Sequence, residues 1–124
     1  AKQFAAADEI VIGAPYWDLS FPAVLKVYIE HVTVNGIVFH YTEEGRPEGL
    51  CKAKRLVYIT TSGGPCSFAN YGFEYLQGIA HMFGIPETHF ISAELLDVIG
   101  QDVDAIMNDA LTRVRDLKET LPTL

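Results

Sequence analysis

Residues 9–22 read Glu9-Ile10-Val11-Ile12-Gly13-Ala14-Pro15-Tyr16-Trp17-Asp18-Leu19-Ser20-Phe21-Pro22. Behind Glu9 comes a continuous apolar run rich in β-branched residues, stopped by a proline that has no N–H for a strand ladder. Continuous runs, as opposed to alternating ones, suit strands covered on both faces, as in the parallel sheets of α/β proteins. An aromatic loop follows, and then helix signals: Ser20 is placed to cap and Pro22 sits where a first-turn proline is tolerated. Phe21, Val24, Leu25, Tyr28, Ile29 and Val32 mark one helical stripe that ends near Asn35-Gly36.

The pattern recurs. Residues 55–61 (Arg55-Leu56-Val57-Tyr58-Ile59-Thr60-Thr61) form a second strand-like run closed by Ser62-Gly63-Gly64-Pro65, and residues 88–93 form a shorter third. A helix carrying Tyr75, Leu76, Ile79 and Phe83 lies between them and stops at Gly84. A last helix carries Val103, Ile106, Met107, Ala110, Leu111, Val114 and Leu117, with basic residues towards its C-terminal half. Residues 1–7 read as the end of a helix. Residues 38–47, Val38-Phe39-His40-Tyr41-Thr42-Glu43-Glu44-Gly45-Arg46-Pro47, interrupt the alternation with an extended excursion and a turn. Strands alternating with helices predict a doubly wound parallel α/β sheet with right-handed crossovers, in one domain over residues 1–124.

Bulk properties narrow the function. A net charge of -7 argues against a general nucleic-acid binder, which needs clustered Lys and Arg against phosphates. No apolar run reaches the length of a membrane span, and no signal-peptide pattern opens the sequence. Cys51 and Cys66 are too few for a disulfide scaffold and lack metal-ligand spacing, so two reduced, inert thiols in a cytoplasmic protein are expected.

Ligands of open α/β sheets bind beyond the carboxyl ends of the strands, where strand order reverses. That directs attention to residues 15–21 and 61–70. The first loop supplies the flat apolar wall and backbone amides that a flavin ring needs, although aromatic loop residues are also commonly buried plugs. The second has paired glycines for close backbone approach and hydroxyls for polar contacts, though such a sequence is also an ordinary turn. It lacks the Lys and spacing of a phosphate-cradling loop.

Residues 7–26, the segment Gly36-Ile37-Val38-Phe39-His40-Tyr41-Thr42-Glu43 with Pro47-Glu48-Gly49-Leu50, and Ile59-Thr60-Thr61-Ser62-Gly63-Gly64 together resemble the FMN-dependent NADH azoreductases and NAD(P)H:quinone reductases. Tyr75-Leu76, Phe83-Gly84-Ile85 and Ala93-Glu94 extend the likeness over nearly the whole chain. The resemblance implies a flavodoxin-like fold, non-covalent FMN, NADH or NADPH as donor, and a cytoplasmic homodimer with active sites at the subunit interface. A quinone or azo compound, a small aromatic acceptor, is then reduced in the place the nicotinamide has left. Tyr16, Trp17, Asp18 and Leu19 would border the flavin ring, and Thr61, Ser62, Gly63 and Gly64 would contact its pyrimidine side. Phe39 would belong to an arm reaching the neighbouring subunit's substrate pocket. No catalytic residue is assigned, because hydride transfer needs mainly oriented rings. Alternatives are a flavodoxin-like electron carrier without nicotinamide activity, which needs no such arm, and a non-catalytic interaction protein.

Two residues depart from the family pattern: Asp18 stands where many members have Asn, and His40 where many have Arg, which bears on substrate preference. The resemblance also implies that the chain is the C-terminal part of such a protein, lacking the first two strands and first helix. Residues 9–14 are then expected at an open sheet edge. Weak FMN binding by these residues alone is expected too, since a helix N-terminus would anchor the phosphate.

Overall fold

A computed structural model of the chain describes residues 1–120. In chain order the elements are α1 (Lys2–Ala6), β1 (Ile10–Gly13), α2 (Ala23–Val32), β2 (Phe39–Tyr41), β3 (Pro47–Gly49), β4 (Arg55–Thr61), α3 (Tyr71–Met82), β5 (Glu87–Ala93) and α4 (Val103–Thr120). Strands β1, β4 and β5 form one parallel sheet in that order, with Ile10 opposite Leu56 and Tyr58 opposite Phe90. β1 occupies an edge, and Val11 is exposed there. Among the described residues the strands follow chain order, so no reversal of strand order marks the site.

Side chains alternate across a strand, and β4 shows the consequence. Leu56 and Tyr58 point into a core shared with Phe4, Ile29, Val32, Leu76, Ala80 and Phe83 from α1, α2 and the α3 region. Tyr58, Phe73 and Phe90 stack there, with centroids 4.8 Å apart for Phe73 and Phe90. Val57 and Ile59 face the other way, towards Val114 and Leu117 of α4. Helices therefore cover both faces of β4, which explains why its sequence is apolar without alternation.

The excursion is a small antiparallel hairpin, with Phe39 opposite Gly49 and Tyr41 opposite Pro47. Its turn passes through Gly45 at φ 77°. Gly49 lies directly on the end of α3: a Cβ there would collide with the backbone of Phe83 and Gly84, so only glycine fits.

Three expectations about α2 are corrected. Ser20 does not cap it, because the Ser20 N–H and C=O are both engaged by Trp17, and the helix opens at Ala23 behind Pro22 without a side-chain cap. It ends at Val32, short of Asn35, where the Thr33 N–H and hydroxyl both donate to the Ile29 carbonyl. Val24 and Tyr28, assigned to the apolar stripe, are exposed; Ile29 and Val32 carry the packing. In α4, likewise, Val103 and Leu111 face outwards and Ala110 is the buried residue.

Candidate functional site

The carboxyl ends of β1 and β4 lie side by side, and their ladder continues past them. The Ala14 N–H donates to the Ile59 carbonyl at 3.0 Å and the Tyr16 N–H to the Thr61 carbonyl at 2.9 Å. Tyr16 is thereby brought against Thr61, and the loop of Trp17, Asp18 and Leu19 leaves the sheet at the same end as that of Ser62, Gly63 and Gly64. Two further bonds fix the pair, and a third lies within the second loop. The Tyr16 hydroxyl donates to the Ala69 carbonyl at 2.9 Å, and the Tyr71 N–H donates to the Leu19 carbonyl at 3.0 Å. The Ser62 hydroxyl donates to the Gly64 carbonyl at 2.6 Å, closing the second loop on itself.

The first loop turns in two residues. Trp17 and Ser20 exchange both backbone hydrogen bonds, at 2.9 and 3.0 Å, around Asp18 at φ 51° and Leu19 at φ 70°. Two consecutive positive φ values are the mark of a type I′ turn, which ordinarily takes Asn-Gly or Asp-Gly. Leucine in the left-handed region costs on the order of 1 kcal/mol, and strain of this kind collects at functional sites. The Asp18 and Leu19 N–H groups make no hydrogen bond to another described residue, nor do those of Gly63 and Gly64. Four backbone donors, two on each loop, are left available among the described residues, and Trp17 on the first loop is 60% exposed.

The second loop is held from β5. The Glu94 carboxylate accepts from the Cys66 N–H at 2.6 Å, the Ser67 N–H at 3.1 Å, the Ser67 hydroxyl at 2.8 Å and the Ser92 hydroxyl at 2.7 Å. Burial disfavours the charged form, but these four bonds prevail and lower the Glu94 carboxyl to about 2. Beyond it the chain lies along the loop: Leu96 N–H donates to Ser62, Asp97 to Gly63 and Leu95 to Gly64, through carbonyl contacts of 3.0–3.3 Å. The Asp97 carboxylate lies over Gly63, where an added Cβ would strike its Oδ2. Cys66 is fully buried and burial raises its thiol, which keeps it from being the thiolate of a redox sensor.

Phe39 is 7% exposed and packs in the core, edge-on to Tyr41 at 5.6 Å; Tyr41, 58% exposed, is the ring that projects from the hairpin. Glu94 and Asp97 were not singled out as site residues from the sequence. An acidic residue just after an apolar strand was the available signal, but its partners are supplied only by folding.

A family model described as the flavodoxin-like fold matches residues 1–117. The chain belongs to the flavodoxin-like family. Within it, the chain is 45% identical over 121 residues to an FMN-dependent NADH:quinone oxidoreductase 2 of Clostridium acetobutylicum, covering 94% of this chain and 60% of that protein. It is 43% identical over 119 residues to an FMN-dependent NADH:quinone oxidoreductase of Clostridium perfringens, again covering 94% and 60%. Among solved structures, an azoreductase of Bacillus anthracis superposes with TM-score 0.80 at 27% identity, covering 96% of this chain and 59% of that one. An FMN-dependent NADH-azoreductase of Bacillus anthracis in complex with FMN gives 0.81 at 25%, covering 98% and 59%. The chain thus spans about three fifths of the length of these flavodoxin-like relatives. The resemblance read from the sequence and the flavodoxin-like architecture both stand. No helix among the described residues is long and apolar enough to cross a membrane.

Proposed function

We propose that the intact protein is an FMN-dependent oxidoreductase, with NADH as donor and a quinone or azo compound as acceptor. One observation carries this reading: two loops joined at the carboxyl end of a parallel sheet hold four backbone N–H groups with no partner among the described residues, and one of the loops carries an exposed indole. A planar heterocycle with polar atoms along its edge and apolar faces fits that set. The similarity to proteins named for FMN and NADH points the same way.

In this reading Trp17 and Leu19 supply the apolar wall, and the Asp18 and Leu19 amides bond one edge of the ring. The Gly63 and Gly64 amides meet its pyrimidine side; Gly64 has open space where a side chain would stand. Thr61 and Ser62 shape the loop, and the Ser62 hydroxyl is committed to it. Tyr16 borders the site but holds the two loops together through its hydroxyl. When bound, FMN supplies a ring that takes hydride from a nicotinamide and gives it to the acceptor. The protein's part is to orient rings and exclude water, so no side chain is assigned as catalytic. Donor and acceptor use one face in turn, giving ping-pong kinetics.

The homodimer belongs to the same proposal. Trp17, Leu19, Phe68 and Tyr71 all lie exposed on or beside the site loops, Phe68 at 75%. Bare apolar surface of this extent favours a covering partner, and a second copy would bring the hairpin, with Phe39 at its base and Tyr41 projecting, towards the acceptor pocket.

Trp17 is the only tryptophan, so its emission reports on the site. Titration of the intact protein with FMN is expected to quench it with micromolar affinity or better. Unchanged emission up to roughly 100 µM FMN would remove the reading. NADH oxidation that depends on added menadione separates the enzyme from an electron carrier, and sedimentation gives the dimer.

A further inference from the structure

Apart from the bond of the Ser62 hydroxyl to the Gly64 carbonyl, the second loop contains little that could hold its own shape. Across residues 61–68 the only buried apolar side chain is that of Cys66, and two glycines give the backbone freedom that an unrestrained loop would use. The loop is nevertheless folded inwards, with Ser62 buried alongside Cys66. Three of the bonds that hold it end on a single carboxylate, 28 residues along the chain from Cys66.

We infer that Glu94 is a positioning residue for the flavin site: its carboxylate clamps the loop so that the Gly63 and Gly64 amides point to the ligand. The role rests on the flavin reading above. Both oxygens are used. Oε1 takes the Cys66 and Ser67 N–H groups, and Oε2 takes the Ser67 and Ser92 hydroxyls. A neutral isostere keeps one acceptor oxygen, whereas a shortened side chain keeps none. The clamp is braced from behind, since the Arg113 guanidinium of α4 donates to the Ser92 carbonyl at 2.5 Å and to Asp109 at 3.0 Å. It is continued in front by the three backbone bonds from residues 95–97 to residues 62–64. Leu95, next to Glu94, is held at φ 66°, the reversal that aims those N–H groups back at the loop. Both Glu94 oxygens are committed to Cys66, Ser67 and Ser92, so Glu94 acts through the loop.

The test compares the intact protein with Glu94→Gln and Glu94→Ala, by amide hydrogen exchange without flavin and by FMN titration through Trp17. Glu94→Ala is expected to speed exchange at Ser62, Cys66 and Ser67 by roughly tenfold or more and to weaken FMN binding comparably. Glu94→Gln should recover most of both, while β4 exchanges as in the wild type. If Glu94→Ala does not fold, Ser67→Ala removes one of the four bonds and should move both readings the same way by less. Unchanged exchange in the loop overturns the clamp. Faster exchange with unchanged FMN affinity overturns the positioning role, as does faster exchange spread equally over β4. A wild-type protein that takes no FMN ends the flavin reading, and this role with it, while the exchange data separately show whether Glu94 holds the loop.

Discussion

The two loops of the site are built in opposite ways. The first, residues 15–21, turns on its own backbone: Trp17 and Ser20 bond each other across two residues at positive φ. The second, residues 62–70, is shaped from outside by Glu94 and by the strand end that carries it. One loop stores strain locally and the other borrows order from a distant element. The difference teaches that equivalent-looking loops at strand ends fail for different reasons: the first through its turn chemistry, the second through the loss of a partner.

Removal of the Glu94 carboxylate tests this most strongly. Glu94→Ala leaves two N–H groups and two hydroxyls without their acceptor and is expected to cost about 2–3 kcal/mol by denaturant unfolding. A cost below about 0.5 kcal/mol would mean that the loop does not depend on it. The pH dependence follows with a definite sign. The folded carboxyl titrates at about 2, below its ordinary unfolded value, so the stabilisation is complete above about pH 5 and is lost as pH falls towards 2. Wild-type stability should therefore drop more steeply over that window than that of Glu94→Gln.

Next in size is the seam between the loops and α3. Gly72→Ala would place a Cβ 2.9 Å from Phe21 Cδ2 and 3.3 Å from the Phe21 nitrogen, with an expected cost of about 1–2 kcal/mol. Normal stability in that variant would show that the first loop can shift without penalty. Tyr16→Phe removes the hydroxyl bond to Ala69 and should cost about 1 kcal/mol. Because that bond ties one loop to the other, its effect combined with Glu94→Ala should fall short of the sum in a double-mutant cycle. Strict additivity would make the loops independent.

The smallest effect should have the opposite sign. Leu19→Gly relieves a left-handed leucine and is expected to stabilise by up to about 1 kcal/mol, offset by glycine's greater unfolded freedom. The corresponding loss of apolar surface at the site should weaken FMN binding, so stability and affinity should move apart. Both falling together would argue that the turn carries no strain.

Much of this was legible from local pattern. The run at residues 9–14 became β1 (Ile10–Gly13), that at residues 55–61 became β4 (Arg55–Thr61), and that at residues 88–93 became β5 (Glu87–Ala93). Continuous apolar strands reveal themselves because both faces must be buried. The helix face of α2 was less legible: Val24 and Tyr28 fit the 3.6-residue period yet remain exposed, since periodicity says which residues share a face and not what covers it. Ser20 looked like a cap because capping chemistry and turn chemistry use the same residue types.

By itself the sequence determined the α/β alternation, the parallel strands and the two loops at their carboxyl ends, because burial on both faces and chain-breaking Pro and Gly are local properties. Only the tertiary structure decided that Phe39 turns inwards while Tyr41 projects, that two non-glycine residues at Asp18 and Leu19 take positive φ, and that Glu94 governs a loop 28 residues away. Those outcomes depend on which groups meet across the fold, and hydrogen-bond partners distant in sequence leave no periodic trace along it.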